Sequence, residues 1–326
     1  MSRRPIPSSD VLADIRKGCR RVAAVATRVR IDRGRLRTFS EGLADAGSDP
    51  PAVDPEHHFV GTPEETLIYW VLLDSVNFGS GFFPHLRKTH ASGYYTVAAA
   101  LAEQFRTHGP LTADGLVRLT AGDCGRLFHQ PMDRPAQRRL MQLFAQAFRD
   151  LGSDLNARFG GDPVRLIRRA EHSVARLVCL LHRQPFFRDV SRYGGSFVPF
   201  YKRAQILASD LSLALADHDL GRFDDIDRCT IFADNLVPHV LRQAGVLQYD
   251  STLAERIDSG RRIPHHSAAE VEIRACAVHA VESMVHGLHR RGTPMTARAI
   301  DVLLWERGQD PAIKQHPRHR TQTVCY

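Results

Sequence analysis

The run Thr62-Pro63-Glu64-Glu65-Thr66-Leu67-Ile68-Tyr69-Trp70-Val71-Leu72-Leu73 decides the fold class. Thr62 offers a side-chain oxygen to the free amides that open a helix. Pro63 suits the first helical position, where its missing N–H costs nothing, and Glu65 completes a capping box. Leu67, Ile68, Val71 and Leu72 then share one apolar face at helical spacing. The same pattern recurs along the chain. Tyr94 to Phe105 predicts a second helix, and Leu140, Leu143, Phe144, Ala147, Phe148 and Leu151 a third that Gly152 can end. Asp162-Pro163 opens another, carrying Leu166 to Leu181, and Pro199 to Ala216 predicts a strong helix with Gly221 beyond it. Asn235 to Ala244 is short and stops at Gly245. Ser267 and Glu270 form a second capping box for a helix reaching about Leu288, and Thr296 caps a last helix through Trp305. Alternating strands are missing, apart from a short two-stranded element near Gly194 to Val198. The expectation is an all-α, globular, non-bundle multi-helix fold.

The 326 residues are 43% hydrophobic and 25% charged, enough for one large domain or two intimately packed ones. Residues 1–55 are arginine-rich, include a possible amphipathic helix from Asp10 to Val29, and close on a Gly/Asp/Pro stretch from Gly47 to Pro55. They read as an N-terminal helical extension to a main domain over residues 56–326. No apolar run reaches the roughly 18 residues a membrane helix needs, and Arg3-Arg4 has no apolar stretch behind it, so neither a membrane nor export is expected. Six scattered cysteines without a Cys-x-x-Cys pair suggest reduced thiols and a cytoplasmic setting. The formal charge of +8 favours phosphate-bearing partners, although excess arginine is also ordinary solubilising surface. Of the 44 basic residues only Lys17, Lys88, Lys202 and Lys314 are lysines. A compact ammonium retained in so arginine-rich a chain marks positions worth inspection.

Nucleotide-binding glycine loops, a Gly-x-Ser-x-Gly elbow and a His-Glu-x-x-His helix are all missing from the sequence. The pairs His57-His58, His265-His266 and His316/His319 lack carboxylates at familiar ligand spacing, so no metal is expected. Three segments stand out. In Asp74 to Pro84 a glycine-rich aromatic loop carries Asn77 and Phe78; Asn77 could read a base edge and Phe78 stack on it, or the phenylalanines could anchor the loop to the core. In Phe200-Tyr201-Lys202-Arg203-Ala204-Gln205-Ile206-Leu207-Ala208-Ser209-Asp210, cations sit at a helix start suited to anions, or form a solvated basic turn. In Thr230 to Pro238, Asp234 follows an apolar run and precedes a short helix. It is either an N-cap or a partly buried carboxylate facing a sugar cation.

Together these segments resemble the queuosine salvage protein family, the queuosine 5′-phosphate N-glycosidases. The resemblance also rests on Ser92-Gly93-Tyr94-Tyr95, Gly194-Gly195-Ser196-Phe197, Glu270-Val271-Glu272-Ile273-Arg274 and the tail His319 to Tyr326, and spans about residue 60 to the end. Two departures are an Asn at 235, where relatives often carry an aromatic residue, and extra glycines after Phe78. The resemblance implies a fold related to DNA glycosylases. It implies hydrolysis of queuosine 5′-monophosphate to queuine and ribose 5-phosphate, with no cofactor, no stable nucleic-acid partner and Asp234 and Lys202 as catalytic residues.

The implied chemistry suits these residue types. Cleavage passes through an oxocarbenium-like sugar, which a carboxylate beside C1′ can stabilise, capture or attack through water. A neighbouring cation such as Lys202 would favour the ionised form of Asp234. Queuine, a 7-deazaguanine, has no N7 to protonate, so the sugar cation and the base's other heteroatoms carry more of the burden. Glu272 is expected on the guanine-like N–H face, with Phe232 and Phe78 sandwiching the base. His319 and Arg320 are expected near the phosphate, so that deleting residues 316–326 weakens nucleotide binding far more than stability. The rivals are a base-excision glycosylase acting on a flipped base, which would bind duplex with a steep salt slope, and a non-catalytic carrier for a base or RNA.

Overall fold

The computed structural model describes residues 6–44 and 53–326 and is mostly helical. In chain order the elements are α1 (Val11–Val25), β1 (Val29–Ile31), α2 (Arg33–Ala44), α3 (Pro63–Ser75), α4 (Gly93–His108), α5 (Ala113–Arg118), α6 (Ala121–Leu127), α7 (Pro135–Phe159), α8 (Pro163–Arg169), α9 (Val174–Leu181), β2 (Val190–Tyr193), β3 (Ser196–Pro199), α10 (Lys202–Ala214), α11 (Val237–Gln243), β4 (Leu247–Tyr249), α12 (Ser251–Asp258), α13 (Ala268–Arg290), α14 (Ala297–Arg307) and α15 (Pro311–Lys314). Most of the Gly47 to Pro55 stretch lies outside the described residues. Among the described residues no helix is long and apolar enough to cross a membrane, and all six cysteines are free thiols.

The chain divides into two units. One comprises residues 1–51, 189–205 and 225–322; the other comprises 52–188, 206–224 and 323–326. In the first, α13 is the central helix. Val271, Ile273, Ala275, Cys276, Ala277, Val278, Ala280, Val281, Met284 and Leu288 are all buried, so the helix meets protein around most of its circumference. α1 lays Leu12, Ile15, Cys19 and Val22 on it, a face at helical spacing. The helix ends at Val25, and Val29 already belongs to a strand paired with Tyr249. The expected single helix over Asp10 to Val29 is therefore shorter, and β1–β4 is a pairing the sequence did not signal. β2 and β3 form the small hairpin expected near Gly194, with Val190 opposite Pro199 and Tyr193 opposite Ser196. Gly194 and Gly195 turn it with φ of 53° and 80°, the left-handed pair a tight two-residue turn needs.

In the second unit α3 has the expected box. Thr62 accepts from the Glu65 amide, and the Glu65 side chain accepts from the Thr62 amide. Two expectations fail here. Gly152 does not end α7, which runs 25 residues to Phe159 and stops at left-handed Gly160. A Cβ on Gly152 would lie 2.6 Å from the Ala113 carbonyl oxygen, so this glycine admits α5 rather than breaking α7. The helix predicted from Asp162 to Leu181 is broken into α8 and α9 by Glu171 and His172, both at positive φ, and Ser173 caps α9.

The helix predicted from Pro199 starts only at Lys202. Pro199 belongs to β3, and Tyr201 adopts φ of 47° to turn the chain. At α13, Ser267 accepts from the Glu270 amide, but the Glu270 carboxylate turns to the His266 amide instead of closing a box.

Candidate active site

Asp234 lies just before α11, where Pro238 occupies the first turn. Its Oδ1 accepts the amides of Leu236 at 2.7 Å and Val237 at 3.2 Å. The start of the helix thereby fixes the plane of the carboxylate. Oδ2 makes no hydrogen bond among the described residues. The side chain is half-buried, while Ile231, Phe232, Ala233, Asn235 and Leu236 are buried. The N-cap position of α11 is Leu236, which has no side-chain cap, so Asp234 holds the turn ahead of the helix through one oxygen rather than occupying the cap expected of it.

Arg274, fully buried in α13, organises the surroundings. Its two terminal nitrogens donate to the carboxylate of Asp189 at 2.9 and 2.6 Å, and Nε donates to the Ala233 carbonyl at 2.8 Å. The guanidinium stacks 4.0 Å above the Phe200 ring. Asp189 Oδ2 also accepts the backbone amide of Lys202 at 3.2 Å. One arginine therefore ties together the residue before β2, the start of α10 and the carbonyl preceding Asp234. Leaving either partner of such a buried pair alone costs about 3–5 kcal/mol, so the arrangement is rigid.

Lys202 is 5% exposed. Opposite the Asp234 loop, Asp301 of α14 accepts the Phe232 amide at 2.7 Å through Oδ1. Burial pushes the Asp301 carboxyl up to about 7; the hydrogen bond from Phe232 opposes this, the charge of Asp234 adds to it, and Lys202 opposes it. Arg318 is held below its ordinary value by burial, with Asp234 acting in the other direction. Lys202, Asp234, Asp301 and Arg318 therefore form one electrostatically coupled group in the first unit. Two carboxyls with different environments beside two cations suit stabilisation of a sugar cation and delivery of a proton.

The other expected site residues fall differently. Phe232 is buried beside Asp234, and Asn235 donates from Nδ2 to the His319 carbonyl at 3.4 Å. Glu272 is fully buried and engaged. Its Oε2 accepts the amides of Thr27, Arg28 and Val29 at 3.1, 2.7 and 3.1 Å, and its Oε1 accepts the Tyr193 hydroxyl at 2.7 Å. Four donors occupy the carboxylate that was expected to read a base, so Glu272 instead anchors the N-terminal segment and the β2–β3 hairpin. His319 is buried, and burial pushes it down to about 3, which disfavours the charged form expected beside the phosphate. Arg320 is exposed; its carbonyl accepts the Ile263 amide at 2.8 Å. In the second unit, Asn77 donates to Asp74 Oδ1 at 2.9 Å. Phe78 is 1% exposed and packs edge-on against Phe144 at 5.2 Å, so it anchors its loop to the core rather than offering a stacking face.

Sequence reasoning missed Asp301, Arg274 and Arg318. The first two carried a readable signal. Asp301 falls on the apolar stripe of Ala297, Ile300 and Leu304, and Arg274 on the buried face of α13. A charge at a core position needs a partner or a task. Arg318 in an irregular tail had none.

Residues 57–326 match the profile of the queuosine salvage protein family. The chain belongs to this family. Similar members include a protein of Sphaerobacter thermophilus, 37% identical over 94% of this chain and 96% of its own length. Another, from Dictyostelium discoideum, is 32% identical over 91% and 89%, and one from Bos taurus is 27% identical over 97% and 100%. All three carry the name queuosine 5′-phosphate N-glycosylase/hydrolase. Asp301, Arg274 and Arg318 all lie inside the span that matches the queuosine salvage family, whereas Thr27, Arg28 and Val29, which hold Glu272, precede it.

Proposed function

We propose that this protein hydrolyses the N-glycosidic bond of queuosine 5′-monophosphate, releasing queuine and ribose 5-phosphate for queuine salvage. Membership of the queuosine salvage family supplies the substrate class. The observation that carries the chemistry is the Asp234 carboxylate, pinned through one oxygen and coupled to Asp301 and Arg318, with Lys202 acting on Asp301. Oδ2 of Asp234 faces the anomeric carbon and stabilises the cation that develops as the C1′–N bond breaks with its electron pair going to the base; water then adds to C1′, and the proton it releases restores the acid through solvent. Asp301, protonated below about 7, donates to a heteroatom of the departing base, which offers no N7 for that proton. Lys202 and Arg318 balance the two carboxyls, and Arg318 with Arg320 favours the 5′-phosphate. Phe232 flanks the base.

In this reading residues 56–326 form the N-glycosidase domain, with a helical architecture of the DNA-glycosylase kind. Residues 1–55 form an extension in which α1 and α2 pack on α13. The partner is a small-molecule nucleotide rather than a nucleic acid, no cofactor takes part, and the setting is cytoplasmic. The decisive assay incubates the protein with queuosine, its 5′-monophosphate and guanosine monophosphate, then separates free bases by chromatography. Release of queuine from the monophosphate is expected; release only from duplex nucleic acid would favour the base-excision reading.

A further inference from the structure

The capping of α13 leaves a cluster that the glycosidase chemistry does not use. A ring nitrogen of His265, a ring nitrogen of His266 and a carboxylate oxygen of Glu270 all lie within 4.8 Å of one another. Glu270 is fully buried, and its Oε1 has no hydrogen-bond partner. Its Oε2 accepts the His266 amide and lies 3.4 Å from His265 Nδ1, which is itself buried and makes no hydrogen bond. An unpartnered carboxylate oxygen in the interior is costly, so what it faces matters.

The histidines are held in position. Their rings lie 3.6 Å apart between centroids, at 32°. Two protonated imidazoles would repel at that distance. His266 adopts φ of 59°, a left-handed conformation rare outside glycine and kept where surrounding contacts impose it. Its Nδ1 lies 2.9 Å from the Ser191 hydroxyl oxygen. A second-sphere bond of this kind orients a ligating imidazole. Arg274, one turn further along α13, is paired in bidentate fashion with Asp189.

We propose that His265, His266 and Glu270 bind one divalent transition-metal ion at the start of α13, with Zn²⁺ the best match to the donor set. Two imidazoles and a carboxylate are the ligands of Zn²⁺ rather than of Mg²⁺ or Ca²⁺, which take oxygen. Three protein ligands leave a fourth position for water. The ion would fasten the loop of residues 264–267 to α13 and satisfy Glu270 Oε1. The second possible cluster, Asp54, Glu56 and His57, is more exposed and has Asp54 already bonded to His57.

The test uses the untagged full chain, stripped with chelator. Zn²⁺ titration by calorimetry, Co²⁺ substitution followed by visible ligand-field absorption, and thermal unfolding with and without Zn²⁺ all read binding directly. One equivalent of Zn²⁺ and a raised denaturation midpoint are expected, since an ion that binds only the folded state stabilises it. His265→Ala removes a side chain that is 29% exposed and leaves the fold intact, as checked by circular dichroism. It should weaken Zn²⁺ by at least about tenfold, and Glu270→Gln, which preserves volume, should do the same. The proposal is overturned if the wild-type chain binds no Zn²⁺, or if His265→Ala binds it as tightly as wild type.

Discussion

At the scale of single residues, Asp234 and Asp301 differ in what surrounds them, and the proposed mechanism draws on that difference. Asp234→Asn keeps the size and one acceptor for the Leu236 and Val237 amides, so the fold should survive. Turnover of queuosine 5′-monophosphate should fall by about two orders of magnitude or more, since preorganised charge is among the largest catalytic contributions. Retained turnover with an unchanged circular dichroism spectrum would remove Asp234 from the centre of the mechanism. For Asp301, burial raises the carboxyl from 3.8 to about 7. Between those pH values the folded protein holds a proton that the unfolded chain has released. The stability associated with this group is therefore complete below about 4 and declines as pH rises through 7. Asp301→Asn should flatten that decline in denaturant melts taken from pH 4 to pH 8, and should abolish the basic limb of the kcat/KM profile near 7. An unchanged basic limb would show that another group donates the proton.

At the scale of elements, two substitutions separate packing from capping. Ala is ordinarily better than Gly inside a helix by about 1 kcal/mol. At position 152 the new Cβ would meet a backbone oxygen of α5 at 2.6 Å, and backbone moves less readily than a side chain. Overpacking should win, and Gly152→Ala should destabilise by about 1–3 kcal/mol in urea unfolding. Glu272→Gln weakens the charge-assisted acceptor that gathers the Thr27, Arg28 and Val29 amides. A loss of about 1–3 kcal/mol is expected, with KM little changed. A raised KM with unaltered stability would instead return Glu272 to the base. These elements also show where local sequence is a sufficient guide. Thr62, Ser267 and Thr296 announced their helices because a cap depends only on the next few residues. The α8–α9 break and the late start of α10 depend on left-handed Glu171, His172 and Tyr201, conformations set by distant packing with no glycine to mark them.

At the scale of the whole molecule, the C-terminal tail carries more of the structure than its composition suggests. His319, Thr321, Thr323 and Cys325 are buried in alternation, and Tyr326 closes the chain at 2% exposure with its carbonyl accepting the Gly79 amide at 2.9 Å. The tail is therefore expected to serve stability as well as any part it has in binding. Deleting residues 316–326 should cost several kcal/mol, as removal of buried side chains does, and lower the cooperative unfolding midpoint even without nucleotide. A truncated chain that melts like the full one but binds nucleotide poorly would restore the original view.

The sequence by itself determined the helical class, most helix starts, the family likeness, and Asp234 and Lys202 as the residues to inspect. Each of these rests on near neighbours in the chain or on a long specific motif. Only the tertiary structure decided that Asp301, Arg274 and Arg318 join Asp234, and that Glu272 and Phe78 are committed to the interior. The reason is physical: a side chain's ionisation and availability depend on which groups from remote segments desolvate it or bond to it, and residue spacing does not encode that.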